Sequence, residues 1–207
     1  PLPFLPERFH GTKVLSLMQF FAGNMGEGEA MLAPLRRHGE PIGDAVGPVP
    51  YTSAQSILDG IYAKGMRNYW KGHNFTELSD PVVESLVDSA TRLPTPQSDI
   101  LVSQLGGAVG DVAPDGTAYP HRNAAFIVTP GARWGNPELD DACIAWVCEA
   151  SDSLASHAEG GTYVNFVSEA AGRERDAYGA NYDRLAALKR RYDPTNFFRL
   201  NQNVRPA

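Results

Sequence analysis

Apolar positions along this chain change their period several times, and each change predicts an element. Residues 13–21, KVLSLMQFF, are dense in apolar and aromatic side chains and stop at Gly23-Asn24, which predicts a buried strand. Asn24 then stands where a helix cap belongs, ahead of Met31, Leu32 and Leu35, and Gly39 supplies the stop. Residues 46–60, VGPVPYTSAQSILDG, form a loop leading into a short helix, and RNYWKGHNF, 67–75, is a strand of mixed aromatic and polar order. Asp80-Pro81 opens a helix, a capping carboxylate followed by proline at the first helical position, with Val82, Val83, Leu86, Val87 and Ala90 on one face.

Two further strands, 99–112 and 124–134, are joined by a long polar connection. A helix over 137–157 places Cys143, Val147, Ala150 and Leu154 in one apolar stripe. TYVNFV, 162–167, is rich in β-formers and predicts a strand. Tyr182, Leu185, Ala186 and Lys189 mark a last helix that ends before Asp193-Pro194, because proline lacks an amide donor and clashes with the preceding turn. Several strands follow one another without a helix between them. The expected fold class is therefore α+β, an antiparallel or mixed β-sheet with helices packed on one face.

Composition narrows the function classes. The chain has 207 residues, 43% hydrophobic and 20% charged, as a soluble globular domain does. Its net charge is −6 and its basic residues are scattered apart from Arg36-Arg37 and Lys189-Arg190-Arg191, so nucleic acid is not an expected partner. No apolar run approaches the ~20 residues of a membrane span, and no signal-peptide pattern opens the chain. Cys143 and Cys148 point about 140° apart on their predicted helix, which forbids a disulfide and favours a cytoplasmic setting. A start on Pro1 suggests a processed product or a fragment.

Few residues carry recognisable chemistry. GGAVG, 106–110, is a structural turn rather than a dinucleotide loop, since no helix follows it. The histidines His10, His38, His73, His121 and His157 never pair at metal-ligand spacing, so no metal is expected. His121-Arg122 is the one polar cluster at a strand entrance; an interstrand hydrogen bond with a surface charge explains it as well as a substrate contact does. On a strand over 162–167, Tyr163 and Asn165 share a face, as a cross-strand pair or toward a polar ligand. In an extended tail Asn201 and Asn203 lie together and Gln202 opposite, with Phe197 and Phe198 anchoring the segment in the core. A buried amide without a partner costs roughly 1–3 kcal/mol, so such a cluster implies a hydrogen-bonded partner, the chain's own backbone or a cofactor. A hydrolase built on His121 with Asp115 or Asp111 lacks a nucleophile on a strained turn.

Four segments resemble one family: PIGDAVGPVPYTSAQSILD (41–59), LGGAVGDVAPDGTAYPHRNAAF (105–126), GGTYVNFVSE (160–169) and AYGANYDRLAALKRRYDPTNFFRLNQNVRP (177–206). They are similar to the carboxy-terminal half of the berberine bridge enzyme-like FAD-linked oxidases, in the vanillyl-alcohol oxidase superfamily. The resemblance implies that residues 1–207 are a substrate-domain-like region, with the family's terminal motif at 161–206 and the FAD-binding domain absent from this chain. It implies hydride transfer from a substrate C–H, often of an alcohol, to flavin, with dioxygen as reoxidant. Its partners are a small-molecule substrate and an FAD-binding domain, in the same parent protein or in a partner chain. The alternative is a non-catalytic, free-standing α+β domain that has lost its flavin domain.

Carried over by motif, Tyr163 is the tyrosine that reaches flavin and substrate, Asn165 its partner, and Asn201 the terminal amide near the flavin ring. An amide suits the ring because it offers both a donor and an acceptor. Tyr69, Gln104 and His121 are the expected substrate contacts. Many relatives place Gln or Glu on the strand after the His-Arg segment; FIVTP, 126–130, has neither, which leaves the catalytic base unassigned. A phenol of ordinary pKa, about 10, must fall by about 3 units to act as a base near pH 7, about 4 kcal/mol, so the tyrosine is a donor unless a cation lowers it.

Overall fold

The computed structural model describes residues 4–62, 64–168, 173–200 and 202–207. The chain divides into two compact units, residues 1–63 and 64–207. In the first, Asn24 caps helix α1 (Met25–Arg36), its side-chain oxygen accepting from the amides of Gly26 at 2.9 Å and Glu27 at 3.3 Å. Those are two of the amides that a helix start leaves without partners, which is why an asparagine there begins the helix. A short helix α2 (Tyr51–Gln55) follows. The expected strand over 13–21 is not formed: these residues are irregular, and Leu15, Leu17, Met18 and Phe20 are exposed. A strand needs a backbone partner, and apolar composition supplies none.

The second unit is built on an antiparallel sheet of β1 (Arg67–Trp70), β2 (His73–Phe75), β3 (Asp99–Gln104) and β4 (Phe126–Trp134). Strand β4 is central. Asp99–Gln104 pairs along one of its edges, while β1 and β2 share the other as two halves of a broken lane, Trp70 opposite Gly131 and His73 opposite Val128. The expected strand 67–75 is thus interrupted at Lys71-Gly72. A Cβ on Gly72 would lie 3.2 Å from Thr129 Oγ1 and 3.3 Å from Phe166 Cβ, so a larger residue would crowd the crossing.

Helices α3 (Asp80–Thr91) and α4 (Asp140–Ala155) cover one face of the sheet. The α4 stripe is as its spacing predicts: Cys143, Val147, Ala150 and Leu154 are all buried. They meet Tyr69, Ala132 and Trp134 at one end of the sheet and Phe75, Val82 and Val128 at the other. On α3 Val82 and Ser89 are buried and Leu86 is half-buried against the core, whereas Val83 and Val87 are exposed, so the apolar face is narrower than expected. Both cysteines are free. The start of α4 is locked by Asp140, whose carboxylate takes a two-point hydrogen bond from Arg67 on β1 and a third from the Trp134 indole at 2.6 Å. Arg67 and Trp134 together hold that carboxyl below its ordinary pKa.

His73 lies on the helix face of β2, with Nε2 2.7 Å from Ser151 Oγ of α4. Burial, reinforced by the positive charge of Arg173, lowers its pKa. The folded state therefore favours neutral imidazole, while the unfolded chain takes up a proton below about pH 6.5. Stability is expected to fall as pH drops through that value and on toward the lower folded pKa. Urea midpoints between pH 8 and pH 5.5 measure this, and His73→Gln is expected to flatten the dependence.

Helices α5 (Glu174–Tyr178) and α6 (Tyr182–Tyr192) follow, and α6 ends at Asp193-Pro194 as the sequence predicts. Asp193 holds the turn beyond it: its carboxylate accepts from the amides of Phe197 at 2.8 Å and Phe198 at 3.0 Å and pairs with Lys189. The Lys189 bond, above all, lowers the Asp193 pKa. Phe197 and Phe198 do not anchor the tail in a core; they meet edge to face and are 76% and 75% exposed.

Candidate functional site

TYVNFV is not a regular strand. Gly160 and Gly161, with φ of 78° and 70°, turn the chain into it, and Val164–Phe166 is a single 3₁₀ turn. The segment nevertheless runs antiparallel to the outer edge of β2 and β1. Glu159 N donates to the Asn74 carbonyl at 3.0 Å and Thr162 Oγ1 to the Gly72 carbonyl at 3.1 Å. Lys71 bridges to Val167, and Trp70 N donates to Ser168 Oγ at 3.0 Å. The edge is covered by scattered bonds rather than a ladder, which frees the side chains from strict alternation.

The turn brings Tyr163 and Asn165 together by a different route from the one expected. Asn165 Nδ2 donates to the Tyr163 hydroxyl oxygen at 2.7 Å. The hydroxyl then keeps its own proton for another acceptor. The Tyr163 ring stands edge-on between Phe166, at 5.1 Å, and Tyr119, at 5.8 Å, and is half-buried, while Asn165 is exposed. Such perpendicular aromatic pairs fix ring orientation and contribute about 0.5–1.5 kcal/mol each.

Tyr119 is a member of the cluster that the sequence does not single out. Its hydroxyl is buried with no hydrogen-bond partner among the described residues, burial raises its pKa, and the Arg122 guanidinium lies 5.0 Å from its ring centre. The only signal in the sequence was its place two residues before His121; its approach to Tyr163, far along the chain, is tertiary.

His121 is held by backbone carbonyls. Its Nε2 lies 3.1 Å from the carbonyl oxygen of Asp176 and 3.2 Å from that of Ala177, two acceptors, so this nitrogen carries the proton. The ring lies over Gly161, where a Cβ would fall 2.1 Å from Cε1. Arg122 donates to the carbonyls of Tyr119 and Val109. Together these bonds hold the 117–122 connection against α5 and the glycine turn.

The other expected contacts are dispersed. Tyr69 is buried in the helix-side core with Trp134, Trp146 and Val147, and Gln104, opposite Phe126, takes the same side of the sheet and is exposed. Asn201 lies outside the described residues. Gln202 Nε2 donates to the Val167 carbonyl at 3.0 Å, tying the tail to the Tyr163 segment, and Asn203 is half-buried. On the sheet face opposite the helices, alternation gathers Trp70, Asn74 and Thr129. The Trp70 indole nitrogen, both Asn74 amide atoms and Thr129 Oγ1 are buried without a hydrogen-bond partner among the described residues, a polar set that the sequence did not reveal. No group of three or more His, Cys, Asp or Glu that could hold a metal occurs among the described residues, and no helix there is long and apolar enough to cross a membrane.

An antiparallel sheet covered by helices on one face, with an aromatic and amide cluster on the segment along its β1–β2 edge, makes an α+β unit. Structural comparison supports that architecture. CrmK, described as a flavoenzyme involved in the shunt product recycling mechanism in caerulomycin biosynthesis, superposes with a TM-score of 0.65 at 23% identity, over 77% of this chain and 37% of that one. Residues 162–205 match the family model described as berberine and berberine like. The uncharacterized FAD-linked oxidoreductases YgaK and YvdP of Bacillus subtilis are 29% and 30% identical, each over 90% of this chain and over 42% and 43% of their own lengths. Over these residues the chain is similar to the berberine bridge enzyme-like FAD-linked oxidoreductases, and it spans less than half the length of these curated relatives.

Proposed function

We propose that this chain is the substrate-binding portion of an FAD-dependent oxidoreductase that removes hydride from a substrate C–H bond, often that of an alcohol, with dioxygen as reoxidant. The FAD-binding domain belongs to the same parent protein or to a partner chain. The observation that carries the proposal is the Asn165-to-Tyr163 hydrogen bond, 2.7 Å long, within the segment matched to the family.

The side chains present fit a flavin in kind. The ring edge carries carbonyl acceptors and an imide donor, and the exposed Asn165 and half-buried Asn203 amides offer the complementary groups. Asn201 is the third such amide, by its place in the motif. When bound, FAD supplies the hydride acceptor. The chain's own share is orientation. Tyr163 Oη, with a lone pair already engaged by Asn165, donates its proton to a substrate oxygen, and Tyr119 and Phe166 fix the ring that carries it.

Protein expressed from the full coding sequence is expected to be yellow, with flavin absorbance that follows the polypeptide through denaturing gel filtration if the link is covalent and separates from it if not. A colourless protein that takes up no FAD would instead support a free-standing, non-catalytic domain.

A further inference from the structure

Beyond α6 the tail folds back on that helix. The Asp193 carboxylate holds the amides of Phe197 and Phe198, Asn196 turns the chain at φ 54°, and Ala207 N donates to the Ala186 carbonyl at 3.3 Å. The fold-back encloses an open concavity of about 650 Å³. Arg190, Arg199 and Arg205 line it together with Thr195 and Asn203, and no Asp or Glu side chain does. Arg190 Nη1 makes one long contact, 3.5 Å, with the Ala207 main-chain oxygen, which in the 207-residue chain is a carboxylate oxygen and offsets part of the positive charge. The Arg199 and Arg205 side chains have no hydrogen-bond, ion-pair or ring partner among the described residues. In a chain of net charge −6 this is a local reversal of sign on a segment whose backbone is tied down.

We propose that this concavity binds a small polyanion bearing at least two phosphate groups. Three like charges gathered in one recess repel each other, and an anion relieves that repulsion. The planar fork of a guanidinium donates two parallel bonds to a phosphate, a geometry that ammonium lacks. Thr195 and Asn203 add neutral donors beside the forks. Three guanidinium forks offer more donors than one inorganic phosphate engages in parallel pairs, which favours a diphosphate. The proposal does not rest on the Tyr163 cluster, none of which lines the recess; it shares only Asn203 with the amides assigned to the flavin.

Titration of this chain with inorganic pyrophosphate, followed by calorimetry at constant ionic strength, tests it. Saturable binding is expected, weaker for inorganic phosphate, and reduced at least tenfold in Arg199→Gln/Arg205→Gln. Arg37→Ala, which removes a guanidinium from the other unit, is expected to bind as the parent does. Arg199→Lys/Arg205→Lys, which keeps charge and removes the fork, is expected to fall between parent and glutamine variant. The side chains are exposed, and an unchanged urea midpoint checks that the variants fold. A parent chain with no saturable heat beyond that of matched sodium chloride overturns the proposal. So does pyrophosphate binding that survives both replacements in the glutamine variant.

Discussion

Tyr163→Phe in the flavin-loaded, full-length protein is expected to lower kcat/KM by roughly 10- to 100-fold, corresponding to about 1–3 kcal/mol for a lost polar contact to substrate. The change removes one oxygen and leaves the edge-on packing against Tyr119 and Phe166 in place, so the fold is not at issue. It also leaves the Asn165 amide without its acceptor. If the hydroxyl positions substrate throughout the reaction, KM rises while kcat holds; if its donation strengthens only as the carbon loses hydride, kcat falls. Asn165→Ala is expected to show a smaller loss of the same kind, since the tyrosine survives with only its orienting partner gone. Steady-state kinetics on one substrate distinguishes these cases, and a Tyr163→Phe enzyme with unaltered kcat and KM would remove the proposed role.

Leu154→Ala is expected to destabilise the second unit by about 2–5 kcal/mol, the range for a large side chain deleted from a closed core. Leu154 is 1% exposed and packs with Phe75, Val82 and Val128, so one truncation opens a cavity between α4, α3 and two strands. Val87→Ala, on the exposed side of α3, is expected to stay within about 0.5 kcal/mol of the parent. Denaturant unfolding of both variants, with unchanged slope, measures the contrast. Equal costs at the two positions would contradict the packing described.

That contrast also marks what was legible in the chain. The α4 stripe could be read because one helix face meets one sheet face, and a 3.6-residue period records that directly. On α3 the same rule admitted Val83 and Val87, since an apolar residue beside the stripe looks like one within it; only the position of α4 and the sheet separates them. Segment 13–21 has the composition of a buried strand but is irregular, because pairing needs a second backbone that composition does not specify. In 162–167 the β-formers are real, and Gly160-Gly161 and the turn at Val164–Phe166 override them at the edge of the sheet.

The candidate site divides in the same way. Tyr163 and Asn165 could be chosen from their motif, yet the expected reason, a shared strand face, is not what joins them; a 3₁₀ turn is. Tyr69 stood out as an aromatic in a polar strand, but the register opposite Ala132 turns it into the helix-side core. Asn74 and Thr129 gave no signal and Tyr119 only its place beside His121, because a buried polar atom without a partner is defined by what surrounds it.

By itself the sequence determined the main helices, the Asn24 cap and the stop at Asp193-Pro194, the α+β class, the free cysteines and the family motif, all of which rest on local spacing and on residue types that act within one or two turns of chain; the expected Asp80 cap is not made, since Ser79 holds that position without a side-chain bond, and α1 ends at Arg36, before Gly39. The tertiary structure decided which strands pair, where the edge lane breaks, which side of the sheet each residue takes and that Tyr119 meets Tyr163. Those depend on contacts between segments tens of residues apart, whose registers differ by single steps. A one-residue shift along β1 would exchange Tyr69 for Trp70 on the helix face, and nothing in the local pattern opposes it.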